Sequence, residues 1–302
     1  MSVETKEQLR ARLFAGGSFS TVGLNRARAI LSELRPPGGI VVATVSDHVL
    51  PGDPPVGVRV YHPRPGERLP VLVWVHGGGW SLGGLDTSDT VCRELAARAG
   101  RVVVSVEHRL APEHPFPAPL DDVTAALRWV LEHAEELGGD ARSVTMGGES
   151  AGANLAIGAC LRMAESSGTA QRVAQQLLVV PVVDLAWDRP SMVADRDPGL
   201  PVRDLRWFAD LYLPDEQVRK HPHACPLASR SLSELPPTTV VTAGRDPLCD
   251  GGRALATRLV RVGVPVNHLH YAEAGHGFFA APGDAAGEAA LADVVRVLGR
   301  ES

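Results

Sequence analysis

The sequence predicts an α/β fold: a mostly parallel sheet of about eight strands, flanked by helices and covered by helical segments. Three observations lead there. From Pro70 onward, short apolar runs of buried-strand type alternate with stretches of helical spacing, the pattern of a parallel sheet with helices on both faces. Ser150 sits in Gly148-Glu149-Ser150-Ala151-Gly152, between the end of an apolar strand and an Ala/Leu-rich helix. Asp246 and His276 each fall just after a later apolar run, so a parallel sheet delivers all three to one edge.

Helical spacing with charged faces runs from Val3 to Phe14 and from Leu24 to Leu34, joined by a Gly/Ser-rich stretch. Pro36, Pro37, Gly38 and Gly39 end this segment. Ile40–Val49 and Val56–His62 then read as an antiparallel pair around a PGDPP turn. Pro70–Val75 is a buried strand that runs directly into His76, Gly77, Gly78, Gly79 and Trp80. A helix over Asp86–Ala99, a strand over Arg101–Val106, a helix over Leu120–Glu136 and the strand ending at Met146 follow. Glu107–Pro119 is too proline-rich for regular structure. Beyond the helix after Ser150, Leu177–Val183 reads as a strand, and the segment up to Pro237 contains none. That insertion carries a candidate amphipathic helix at Arg203–Leu213 and the aromatics Trp187, Trp207, Phe208 and Tyr212. At the carboxyl side of a parallel sheet it is expected to lie over the site as a lid. Strands at Thr238–Thr242 and Val266–Tyr271, with helices at Gly251–Val262 and Glu288–Leu298, complete the chain. The expected division is one domain over 1–302, with a helical cap from 1–38 and 185–235 and a core from 39–184 and 236–302.

The chemistry follows from what a serine hydroxyl lacks. It needs a base, a group that orients the base, and donors for the oxyanion that its attack creates. A strand–turn–helix elbow makes the hydroxyl project, and the helix aims its free amides and positive end at the turn. Three consecutive glycines after a buried strand let a backbone approach a ligand and present its amides inward. The order Ser150, Asp246, His276 is the order of such relays on doubly wound sheets and differs from that of chymotrypsin-like β-barrels.

Composition narrows the partners. With 22% charged residues and a net charge of −5, the chain carries no basic footprint for nucleic acid or an anionic membrane, and a small molecule is the expected partner. The N-terminal MSVETKEQLRARLF mixes charges without an apolar run, so neither a signal peptide nor a membrane span is read there and the expected compartment is the cytoplasm. Cys92, Cys160, Cys225 and Cys249 are widely spaced and form no CxxC pair. The pairs His221/His223 and His268/His270 are explained by alternation in a strand or loop, so neither a metal nor a cofactor is expected.

The residues HGGGW at 76–80, HRLAPEHPFPAPLDD at 108–122, GESAG at 148–152, DPLCD at 246–250 and GHGF at 275–278 together resemble the motifs of the hormone-sensitive lipase group of α/β-hydrolases, in its microbial carboxylesterase branch. The resemblance runs from about Pro70 to the end. It implies Ser150 as nucleophile, His276 as general base and acid, and Asp246 as its orienting partner. It further implies an oxyanion hole from Gly78, Gly79 and Ala151, a loop supported by His76, Gly77 and Glu149, and a homodimer through the last sheet edge. Three positions depart from the group's habit: Glu149 stands for Asp, His108 for Tyr, and Cys249 for a basic residue. The expected function is hydrolysis of short- to medium-chain acyl esters through an acyl-enzyme, with Trp80, Trp187, Trp207, Phe208 and Phe279 as candidate pocket walls. The same machinery would serve an acetyl hydrolase or amidase acting on a small metabolite. A non-catalytic receptor of this fold would carry a degraded triad, which this sequence does not.

Overall fold

Strand β3 (Leu69–Val75) is central in the sheet, with all but Pro70 of its residues buried, because the side chains of LPVLVWV are apolar on both faces apart from the Trp74 indole N–H. The computed structural model describes residues 14–15, 17–167, 173–197, 199–279, 281 and 283–299. The helix expected over Val3–Phe14 lies outside them except for its last residue. The other strands are β1 (Thr44–Leu50), β2 (Val56–His62), β4 (Val102–Glu107), β5 (Gly139–Glu149), β6 (Gln175–Val179), β7 (Thr238–Ala243) and β8 (Val266–Tyr271). They form one eight-stranded sheet in the order β1-β2-β4-β3-β5-β6-β7-β8. The β1–β2 and β2–β4 pairs are antiparallel, and every other pair is parallel.

Alternation along β3 divides the core. Val71, Val73 and Val75 face one apolar cluster, shared with the helices at Ala118–His133, Ala151–Ser167 and Cys249–Arg261. Leu72 and Trp74 face the other, shared with the helices at Leu85–Ala99 and Ala285–Leu298. In chain order, with Phe19–Val22 as α1 and Leu24–Leu34 as α2, these five helices are α4, α5, α8, α3 and α9 respectively. The short α6 (Pro190–Ala194) and α7 (Val202–Tyr212) lie between β6 and β7.

Three strand boundaries shift by three residues or more from the sequence reading: β5 runs on past Met146 to Glu149, and the other two lie in β1 and β6. Residues 40–43 are outside β1, because its partner β2 ends at His62 opposite Thr44 and leaves them nothing to pair with. Strand β6 stops at Val179 rather than Val183, because Val180 turns to a φ of +42° and Pro181 follows. The chain thus leaves the sheet just beside the turn that holds Ser150.

The N-terminal helices and the α6–α7 segment are tied to each other through a buried carboxylate. Asp204, at the start of α7, accepts from Ser18 Oγ at 2.7 Å and from the amides of Phe19 and Ser20 at 3.0 Å each. It therefore caps α1 from a distance of more than 180 residues in sequence. Among the described residues, no helix is long and apolar enough to cross a membrane.

Candidate active site

Ser150 occupies the single-residue turn between β5 and α5, with a φ of +58°. A non-glycine residue held there is strained, and the surroundings enforce it. The Ser150 amide donates to Val179 O at 2.8 Å, and the Ser150 carbonyl accepts from the Asn154 amide at 3.1 Å. A β-carbon on Gly152 would lie 2.1 Å from Val75 O, so only glycine lets α5 start this close to β3.

The structure brings Ser150, His276 and Asp246 into one hydrogen-bonded line. His276 Nε2 stands 2.9 Å from Ser150 Oγ, and His276 Nδ1 stands 2.9 Å from Asp246 Oδ2. Asp246 is 1% exposed, and its Oδ1 accepts the Leu248 amide at 2.9 Å, which fixes the carboxylate as an acceptor toward the ring. The loop carrying His276 is itself held: its backbone amide donates to Asp197, and Asp197 also accepts the Gly199 amide at 2.7 Å. Burial pulls the His276 pKa down, but the charge of Asp246, its hydrogen bond, and the charges of Glu149 and Asp197 outweigh it. The net shift is upward.

Beside Ser150 runs the glycine loop. A β-carbon on Gly77 would stand 3.4 Å from that of Ser150. No turn, loop or cap hydrogen bond takes up the amides of Gly78, Gly79 or Ala151 among the described residues. His76 is buried, donates from Nδ1 to Gly77 O at 2.8 Å, and stacks on His108 with centroids 4.3 Å apart. Burial first, then the neighbouring His108, pushes His76 down to about 3, and burial pushes His108 down to about 4. Two neutral rings thus support the loop at neutral pH, with His108 stacked on His76 at the position where the resemblance expects a tyrosine.

Glu149 is 3% exposed and pairs with Arg35, whose Nη1 and Nη2 each lie 2.7 Å from one carboxylate oxygen. This bidentate pair fastens the end of α2 to the residue before Ser150. The cavity above Ser150, of about 120 Å³, is walled by Phe19, Leu31, Leu34, Val182, Leu200, Leu205 and Phe208, together with Trp80, Leu82 and the glycine loop. Phe208 presses on that loop: a β-carbon on Gly79, whose φ is +59°, would fall 2.2 Å from Phe208 Cγ.

Of the five aromatics expected to wall the pocket, Trp80 and Phe208 do, and three do not. Trp207 is next to Phe208 on α7, so helical geometry turns it away from the cavity; it is half-buried and touches Phe208 with ring centroids 4.9 Å apart. Trp187 lies under the Arg206 guanidinium, 5.1 Å from its centroid, away from the cavity. Phe279 passes to the other face of the sheet and stacks on Trp74 at 6.2 Å. The histidine pairs are likewise engaged elsewhere, His223 with Glu165 at 2.8 Å and His268 and His270 with Thr242 Oγ1. Among the described residues, no cluster of three or more His, Cys, Asp or Glu side chains could hold a metal ion.

The alpha/beta hydrolase fold family matches residues 72–280. The chain belongs to the α/β-hydrolase family, in its hormone-sensitive-lipase-like branch. It is 40% identical over 264 residues to the carboxylesterase NlhH of Mycobacterium tuberculosis, covering 85% of this chain and 82% of that one. It is 37% identical over 231 residues to an ethyl acetate hydrolase of Pseudomonas putida, covering 74% and 70%. Among solved structures, a hyperthermophilic esterase from the archaeon Pyrobaculum calidifontis superposes with a TM-score of 0.86 at 34% identity, over 99% of this chain and 98% of that one.

Proposed function

We propose that this hydrolase is a serine carboxylesterase that cleaves short-chain acyl esters through a covalent acyl-enzyme. The observation that carries the reading is the continuous line Asp246–His276–Ser150, with 2.9 Å at each link. In the first step His276 Nε2 takes the Ser150 proton while Ser150 Oγ bonds the ester carbonyl carbon, and the carbonyl oxygen becomes an oxyanion. The amides of Gly78, Gly79 and Ala151 receive that charge. Each such donor is worth about 3 to 4 kcal/mol in the transition state, because it is preorganised and shielded from water. Collapse breaks the bond to the alcohol oxygen, which leaves with the proton from His276. Water then enters, gives its proton to the same ring, attacks the acyl carbon, and releases the acid and free Ser150.

Cavity size supports the acyl assignment. A space of about 120 Å³ is close to the roughly 150 Å³ that accommodates benzene in a buried apolar site. The helical segments within 1–38 and 185–235 act as the cap, since Phe19, Leu31, Leu34, Leu205 and Phe208 close the cavity over Ser150. The curated relatives named as a carboxylesterase and an ethyl acetate hydrolase agree with a small ester as substrate. Replacing Ser150 by Ala tests the assignment. Turnover of p-nitrophenyl acetate should fall by about a millionfold with the circular dichroism spectrum unchanged, and activity within tenfold of wild type would refute it.

A further inference from the structure

A second cavity, of about 270 Å³, adjoins the first. It is walled by Pro36, Pro37, Gly38, Gly39, Thr90 and Val91, with Phe279 and Ala281. Phe279, absent from the wall of the Ser150 cavity, finds its place here. The two cavities have Leu34, Arg35, Thr87 and Gly277 in common, so they meet at that ring of four residues. Arg35 is the longest side chain of the four. Its guanidinium is held against Glu149 by two bonds of 2.7 Å, and its Nη2 is 3.2 Å from where a β-carbon on Gly277 would sit. It therefore spans the passage between the residue before Ser150 and the residue after His276.

We propose that Arg35 is the partition that sets the acyl-chain limit of this enzyme, and that the cavity beyond it would house the distal methylenes of a longer acyl chain once the guanidinium is withdrawn. The inference rests on the reading of Ser150 as nucleophile. Three of the four ring residues leave little in the way: Gly277 has no side chain, and Leu34 and Thr87 are short. The second cavity is floored by Val91 and Phe279, surfaces suited to a hydrocarbon chain, and its outer rim is the exposed 36–39 loop. A charged guanidinium across the passage opposes an alkyl chain twice, by occupying the space and by remaining in need of polar partners. With Arg35 bound to Glu149, the substrate chain is confined to the smaller cavity.

The test removes the partition without stranding a buried carboxylate, by pairing Arg35→Ala with Glu149→Gln. Chain-length profiles on p-nitrophenyl acetate, butyrate, octanoate and decanoate are compared with wild type. In the double variant the ratio of decanoate to butyrate kcat/KM should rise, by about fourfold for each methylene newly buried. Adding Thr90→Phe, which fills the second cavity and leaves the ring intact, should abolish that rise. An unchanged ratio, or a rise that survives Thr90→Phe, would overturn the proposal. Fluorophosphonate labelling of wild type and variants keeps the two readings apart. Loss of label in wild type would refute Ser150 as nucleophile, whereas a labelled double variant with an unaltered ratio refutes the partition alone. Should the double variant not fold, Arg35→Lys keeps a cation for Glu149 while withdrawing Nη2 from Gly277. It is expected to shift the ratio in the same direction by a smaller factor, and no shift there would count equally against the proposal.

Discussion

At the residue scale, the proposed chemistry depends on the state of one imidazole. On that reading His276 would act as a base only when neutral, and the groups facing it are Asp246, Glu149 and Asp197, with Arg35 paired to Glu149 at 2.7 Å. Burial favours the neutral ring, and the carboxylates more than offset it, so the pKa lies above the usual imidazole value. Activity should therefore fall as pH drops through that raised value. The acidic limb of kcat/KM for p-nitrophenyl acetate is expected above the ordinary histidine midpoint, and a limb at or below it would show that burial dominates. That Ser150, Asp246 and His276 meet at one edge was legible in the sequence, because each follows an apolar run and parallel strands carry such positions there. Arg35 and Asp197 were not. They act on residues 114 and 79 positions away, lie in no strand, and belong to segments whose packing nothing in their own neighbourhood dictates. A cation in the last turn of a helix followed by two prolines reads as an ordinary helix end. Glu149 offered the one available signal: a carboxylate buried next to a nucleophile must have a cationic or donor partner somewhere.

At the element scale, the sheet was readable and the covering helices were readable only as helices. Apolar runs such as Leu69–Val75 leave no choice of state or burial. Helix α7 shows the limit. Its amphipathic spacing was visible, yet adjacent Trp207 and Phe208 look alike in sequence, and only the docking of the helix decides that Phe208 presses on Gly79 while Trp207 stays off the cavity wall. That docking is fixed by Asp204, which joins α7 to α1 through Ser18, Phe19 and Ser20. Replacing Asp204 by Ala removes the shared acceptor of two backbone amides and two hydroxyls in a largely buried site. The cost should be about 1 to 3 kcal/mol, read as a lowered denaturation midpoint in urea. KM for p-nitrophenyl butyrate should rise as well, because Phe19 and Phe208 both wall the cavity. An unchanged midpoint with unchanged KM would show that the clamp neither stabilises the chain nor shapes the pocket.

At the scale of the whole molecule, the architecture separates rigidity from selectivity. The strand ends and the elbow supply a fixed frame: β3 leads to the glycine loop, β5 to Ser150, β7 to Asp246 and β8 to the loop of His276. The helices contributed by the N-terminal stretch and by the insertion after β6 then close the cavity from above, and Arg35 ties that cover to the elbow. The frame explains why four segments scattered from residue 76 to residue 276 can be read from motifs, and the cover explains why substrate size cannot. The central claim is that this frame makes one serine hydroxyl uniquely nucleophilic. The most direct measurement is active-site titration with a fluorophosphonate followed by peptide mass spectrometry. The account predicts one equivalent of label on Ser150 with complete loss of esterase activity; label absent, or carried by another serine while Ser150 stays unmodified, would contradict it.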